Sequence, residues 1–304
     1  MNHGTGQAPT EPPRARRHAD QLELRTLAIA LLASLLLWNL PFGGVLLYPF
    51  KLLATWLHEM SHGLLMLMTG TGLDRVEIYR DTSGLAHPGS QPGPTAQAFI
   101  AAAGYMGTAV WGAVLLVVTP TGRTARTAML VFAALLGLTA IFVVNAPAGD
   151  RFGQWAIGLM CGVVAAAALA LPSKWRLAVA HFIAAQSCVN ALLDIRVLFR
   201  PNQVVNGVET GTANSDAHAM AFATFGTNDQ WAVYFWSATW LVFSLIVFYL
   251  ALRFSGSRAV ANVAPYARST ASPRDGSDRG DQRHSPETAP GGTDPNEPAD
   301  TGGS

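Results

Sequence analysis

The residues best suited to chemistry form one short segment, His58-Glu59-Met60-Ser61-His62. Residues four apart lie on the same face of a helix, so both imidazoles can bind a single metal ion. Glu59 lies beside that face, where its carboxylate can take a proton from a metal-bound water. Two imidazoles and one carboxylate suit Zn²⁺, with a fourth position left for water. The segment therefore predicts a catalytic zinc site with Glu59 as the base.

The surroundings of this motif strengthen the prediction. Between residues 45 and 69 the only charged side chains are Lys51 and Glu59. A charged side chain in the middle of a bilayer costs about 2.5–3.5 kcal/mol on insertion scales, so it needs a partner. A divalent ion is such a partner. The alternative interpretation is a structural polar cluster that faces neighbouring helices.

A third metal ligand is needed, and three acids compete for that role. Asp194 ends an apolar run, with Asn190 four residues earlier on the same helical face, although it is also placed to pair with Arg196. Asp216 begins a short polar helix, where capping is the alternative role, and Asp150 lies in a loop. We expect Asp194 as the ligand and Asp216 as the alternative, with Asp150 ranked third. Asn190 is a candidate for stabilising the oxyanion of the reaction.

The composition indicates how these residues are held. Half of the 304 residues are apolar and 13% are charged, whereas about 25% are charged in a typical soluble domain. The net charge of +1 gives no basis for binding nucleic acid. We therefore exclude a soluble enzyme and predict an all-α multi-pass protein of the cell membrane, with about six or seven transmembrane helices. The apolar runs lie at 26–40, 45–69, 95–119, 127–147, 153–171, 177–193 and 230–252.

Polar segments divide the chain around these runs. We predict a polar tail at 1–22, a membrane-embedded domain at 23–253 and a disordered tail at 254–304. A short helix is expected from about Ser215 to Gly226. Lys and Arg near the spans set the orientation. The basic residues before residue 20 favour a cytoplasmic N-terminus and hairpin, which would leave Arg123, Arg126, Lys174 and Arg176 outside.

A short hairpin is predicted directly after the zinc-motif helix. Residues 73–80 alternate between apolar and polar side chains, and the next four residues read as a turn. An exposed strand edge can accept an extended peptide as an additional strand. We therefore expect Val76 and Ile78 to mark a substrate-binding strand.

Several segments resemble the site-2-protease-like intramembrane zinc metallopeptidases, in particular their compact bacterial branch without a PDZ domain. The similar segments are Tyr48–Gly63, Thr69-Gly70, Ser83-Gly84, Gly104–Gly107, Asn190–Asp194 and Ser215–Ala217, within residues 45–250. The resemblance implies a zinc ion held by His58 and His62, Glu59 as catalytic base, and cleavage of membrane proteins or membrane-proximal peptides.

The alternative is a non-proteolytic membrane protein that retains the zinc motif for structure, assembly or sensing. Both hypotheses predict bound zinc. They differ in the expected effect of Glu59→Gln. This substitution abolishes cleavage if the chain is a peptidase, and has no cleavage to abolish if it is not. The sequence leaves the substrate and the oligomeric state open.

Overall fold

The structure is a computed structural model. It describes residues 39–145, 149–195 and 215–270, with side chains up to Phe254, and the isolated residues 32, 36, 37, 198, 204, 205, 208 and 209. The predicted tail at 1–22, most of the predicted helix at 26–40 and residues 271–304 lie outside these ranges. In the described part, the chain forms seven helices and an antiparallel hairpin, besides one two-residue strand pair. The predicted helical fold class is confirmed.

The elements follow one another in a simple order. They are α1 (Gly43–Met68), β1 (Leu73–Ile78), β2 (Gly84–Pro88), α2 (Pro94–Val118), α3 (Gly122–Phe142), α4 (Phe152–Ala170), α5 (Ser173–Ile195), β3 (Val204–Val205), β4 (Val208–Glu209), α6 (Asp216–Phe225) and α7 (Gln230–Thr270). Five helices are long and apolar enough to cross a membrane: α2, α3, α4, α5 and the Gln230–Phe254 part of α7. The chain is therefore a multi-pass membrane protein. The zinc-motif helix α1 is not among the five.

Two helix boundaries differ from the sequence-based expectation. Helix α3 begins at Gly122 rather than near 127, because the side chains of Thr121 and Thr124 form a reciprocal capping box. The last helix continues to Thr270, past the apolar run predicted at 230–252. This extension includes Gly256 and Pro265, so neither residue ends the helix. Helix α6 begins and ends as predicted, with Ser215 as N-cap and Gly226 in the left-handed conformation at its end.

The hairpin places its two strands differently from the prediction. On one edge of β1, Val76 pairs with Ala86 of β2. On the other edge, the Val76 N–H donates to the Val143 carbonyl at 3.0 Å and the Asn145 N–H donates to the Val76 carbonyl at 2.9 Å. Val76 and Ile78 are buried in the core, with 0% and 4% of their surface exposed. Both edges of β1 are thus paired at Val76, and the Ile78 side chain is buried, so the structure does not favour this strand as the substrate-binding strand.

A polar network covers the outer face of the hairpin. Glu77 is buried and accepts hydrogen bonds from Arg75 Nε at 2.8 Å and from the Tyr79 hydroxyl, and His87 Nε2 lies 3.0 Å from its carboxylate. Burial raises the pKa of Glu77, but the hydrogen bonds from Tyr79 and Arg75 and the charge of His87 outweigh it. The net result is a pKa below the usual value of a glutamate.

The spans give the bundle two different ends. The connections 119–121 and 171–172 lie together, since Gly122 packs on Ser173 and His181 donates to the Thr119 carbonyl at 3.0 Å. This end, which we call the basic end, carries Arg123, Arg126, Lys174 and Arg176. The hairpin and the connection from α3 to α4 lie at the other end. Which end faces the cytoplasm stays a prediction.

Candidate metal centre

Helices α1 and α6 bring three possible metal ligands together. Asp216 Oδ2 lies 3.0 Å from His58 Nε2 and 3.2 Å from His62 Nε2. Asp216 is the first residue of α6, so its side chain projects from the helix end toward α1. In the described part of the chain, these three residues form the group of His, Cys, Asp and Glu side chains that could hold a metal ion.

The separation of the ligand atoms fits a tetrahedral ion. Zinc binds nitrogen and oxygen ligands at about 2.0–2.2 Å, which places tetrahedral ligands roughly 3.3 Å apart. The two measured distances from Asp216 are close to this value. Burial alone raises the pKa of Asp216, but the adjacent His62 and His58 lower it well below its usual value. The carboxylate is therefore ionised beside the two histidines.

The protein also orients the imidazoles. His62 Nδ1 donates to the Ile100 carbonyl at 2.6 Å, which leaves Nε2 as the unprotonated ligand atom. The His58 ring contacts the His62 ring, with centroids 4.7 Å apart, and contacts Tyr105 edge-on at the same distance. Gly104 lies directly against both Nε2 atoms, and a Cβ at this position would overlap them. A glycine is required here because α2 passes so close to the ligands.

Glu59 lies between the histidines and the hairpin. Its side chain is buried, with 6% exposed, and the backbone amide of Ala86 points at its carboxylate. A Cβ on Gly84 would lie 2.9 Å from Glu59 Oε1 and 2.7 Å from the Thr55 methyl group. Strand β2 can therefore approach α1 closely because residue 84 is a glycine. The edge of β2 that faces away from β1 borders the site.

A cavity of about 600 Å³ surrounds these groups. It extends from the histidines to the hairpin turn at 81–83 and along β2 to Pro88. Asp194 and Asn190 line the same cavity from α5. Asp194 is not part of the three-ligand group, so the structure favours the alternative, Asp216. The Asn190 amide is buried and donates to the Phe50 carbonyl at 3.2 Å, which holds helix α1 against α5.

The remaining polar candidates have structural partners. Asp150 is exposed, lies 3.3 Å from Arg80 and accepts the backbone N–H of Phe152 at the start of α4. His218 is buried and bonds to the Ser215 hydroxyl at 2.7 Å. Asp150 and His218 therefore help to fix helix ends rather than line the three-ligand group.

Sequence reasoning missed two contributors to the site. Gly104 lies in one of the segments that carry the family resemblance, but its contact with the Nε2 atoms of both histidines was not predicted. Ala86, whose amide faces Glu59, gave no signal at all, because alternation in β1 says nothing about which edge of the hairpin is covered. To predict that the Ala86 amide faces Glu59, one would have needed to know which residues of β1 and β2 are paired.

The fold and the site together define a multi-pass helical membrane protein with two histidines and a carboxylate grouped beside a buried glutamate. The sequence model of the Peptidase M50B-like family matches residues 26–251. The chain belongs to this family of metallopeptidases. No curated protein and no solved structure matches it.

Proposed function

We propose that the chain is an intramembrane zinc endopeptidase in which His58, His62 and Asp216 hold the ion. The observation that carries the proposal is the convergence of these three ligand atoms beside the buried Glu59 in one cavity. Family membership supports a metallopeptidase. Zinc, the ligand set and the role of Glu59 are our inference from the donor chemistry and its spacing.

The reaction uses groups already in place. A zinc ion bound here would lower the pKa of a water molecule and polarise the carbonyl of the scissile bond. Glu59 accepts the proton of the attacking water and then delivers it to the leaving amine. Its buried position, in contact with the Ala86 amide, keeps bulk water from competing for that proton. Asn190 and Tyr105 line the wall of the cavity that a substrate would fill.

We propose that the substrate binds as an extended segment along β2. Peptide bonds inside a helix have their carbonyls occupied, so the segment must be unwound before attack. The outer edge of β2 borders the cavity at Gly84 and Ala86, next to Glu59. This proposal replaces Val76, which is paired on both edges of its strand, and Ile78, whose side chain is buried. The substrate would be a membrane protein or a membrane-proximal peptide.

Glu59→Gln tests the catalytic assignment. Purified wild type in proteoliposomes should bind about one zinc ion and cleave an embedded test peptide, as followed by metal analysis and mass spectrometry. The variant should retain zinc and lose cleavage by about 100-fold or more, since general bases contribute at least that much. Asp150→Asn, which removes an exposed carboxylate away from the cavity, is the matched control and should cleave normally. Zinc bound without cleavage of any peptide would support the non-proteolytic alternative, and absence of zinc would overturn the proposal.

A second experiment tests strand addition without changing the enzyme. Successive residues of a cleaved peptide are N-methylated one at a time. In a strand, alternate amides point toward the partner edge, so we expect methylation to slow cleavage at every second position near the scissile bond. Uniform sensitivity, or none, contradicts binding along β2 while leaving the zinc mechanism intact.

A further inference from the structure

A second cavity, of about 520 Å³, lies between α2 and α3, and we call it the α2–α3 groove. Its walls are apolar and come from Trp111 and Val114 on α2 and from Val131 and Leu135 on α3. All four side chains are more than a third exposed in the isolated chain. Both helices are candidate membrane spans, so the groove faces the hydrocarbon of the bilayer.

The groove exists because two consecutive helices diverge. Helix α2 packs against α1, α5, α6 and α7, whereas α3 packs mainly against α4 and α5. Each helix is therefore held by different partners, and the space between them stays open toward lipid. Empty space of this size inside a membrane forfeits dispersion contacts on every wall, so it is filled by whatever apolar molecule fits.

The size of the groove selects its occupant. One turn of an α-helix, about 10 Å wide and 5.4 Å long, occupies roughly 420 Å³. The groove encloses little more than the volume of one turn, so a membrane-spanning helix could rest against it but could not lie inside it. A single slender acyl chain can follow its apolar walls instead. The floor of the groove includes Leu57, the residue before His58, and Ser187 of α5.

The polar end of the groove shows which lipid fits. Arg123, Thr124 and Thr127 line it where α3 begins, at the basic end of the bundle. Among the described side chains, no acidic residue lies on the α2–α3 or α4–α5 connections at this end. The hydroxyls of Thr124 and Thr127 donate to the backbone carbonyls of Thr121 and Arg123, which leaves the guanidinium of Arg123 as the donor at this end. A guanidinium beside an apolar channel matches a phosphate attached to an acyl chain.

We propose that the α2–α3 groove binds one anionic phospholipid, with an acyl chain between Trp111 and Val131 and the phosphate at Arg123. The bound lipid contacts the zinc-motif helix through Leu57. Lipid therefore forms part of the support behind α1, on a side of the helix separate from the cavity that contains the histidines.

Tryptophan quenching by brominated lipids tests the proposal. Full-length protein is reconstituted in phosphatidylcholine vesicles that contain a small fraction of either brominated phosphatidylglycerol or brominated phosphatidylcholine. The signal of Trp111 is obtained as the difference between wild type and Trp111→Phe. A cation near the surface gives about a fivefold preference for anionic lipid. We therefore expect Trp111 to be quenched at about fivefold lower content of the anionic lipid.

Two matched pairs of variants locate the site. Arg123→Gln should abolish the preference for phosphatidylglycerol, whereas Arg126→Gln, an exposed arginine of the same helix outside the groove, should retain it. Val131→Phe fills the groove and should prevent the Trp111-dependent quenching. Leu138→Phe, at a similarly exposed position of α3 outside the groove, should not.

The outcomes that overturn the proposal are equally direct. Equal quenching by the two brominated lipids excludes a site selective for anionic headgroups. Absence of Trp111-dependent quenching by either lipid shows that no acyl chain enters the groove. Each variant is first checked for wild-type helix content and thermal unfolding temperature. If Arg123→Gln fails this check, the wild-type comparison of the two lipids still decides the headgroup preference.

Discussion

The contact of Gly104 with the ligand histidines yields the sharpest prediction, for Gly104→Ala. The added Cβ would lie 2.5 Å from His62 Nε2 and would overlap His58 Nε2. Ordinary contacts to a Cβ begin at about 3.4 Å, so α2 and the ring of His62 must separate by about 0.9 Å. Zinc sites require ligand positions within about 0.2 Å of ideal. The substitution therefore disturbs the site by several times its tolerance.

We expect Gly104→Ala to lower zinc affinity by about 100-fold or more, because loss of a mere outer contact to a ligand already costs 10–100-fold. Affinity is measured by competition with a chromogenic chelator on purified protein in detergent. The matched control is Gly162→Ala on α4, where a Cβ meets no atom within 4 Å. Alanine is the better helix former, so the control should bind zinc normally and be at least as stable.

One result would refute this reasoning about the contact between α2 and the ligands. It is a folded Gly104→Ala protein that binds zinc as tightly as wild type does. Loss of zinc together with loss of helix content would instead report general unfolding, which circular dichroism and the unfolding temperature detect. The prediction is specific because it requires a folded protein with a weakened site.

Two further predictions concern acidic residues. Asp216→Asn should weaken zinc binding far more than Asp194→Asn in the same chelator assay, and equal losses would contradict the assignment of the third ligand. The lowered pKa of Glu77 stabilises the hairpin above the usual glutamate pKa of about 4.3, and this contribution is lost as the pH falls through the lower value. The protection factors of the β1 amides, which already allow for the slower intrinsic exchange in acid, should therefore fall in acid in wild type. Glu77→Gln, which lacks the ionised partner of Arg75 and Tyr79, should show a smaller change with pH.

Much of the architecture could be predicted because it depends on local pattern. Long uncharged runs specified the membrane helices, and alternation at 73–80 specified the hairpin. Histidines four residues apart specified a shared helical face. The start of α6 followed from Ser215, whose side chain can cap a helix only at its N-terminus.

The sequence could not decide between alternatives where the answer depends on packing between distant segments. Asp194 and Asp216 have equally suitable chemistry, and the choice depends on how α5 and α6 approach α1. We expected an open strand edge at Val76, but the segment after α3 pairs with that edge. Neither contact leaves a periodic signal in the sequence, so local reasoning could not find it.

The separation of the three ligands along the chain has a consequence for biosynthesis. Asp216 lies 158 residues after His58, and four membrane-spanning helices lie between them. A ribosome must therefore complete most of the polypeptide, and the nascent bundle must close, before the last ligand reaches the first two. In the proposed zinc endopeptidase the ligand set would be incomplete until then, so the half-made chain would not cleave neighbouring proteins in the same bilayer.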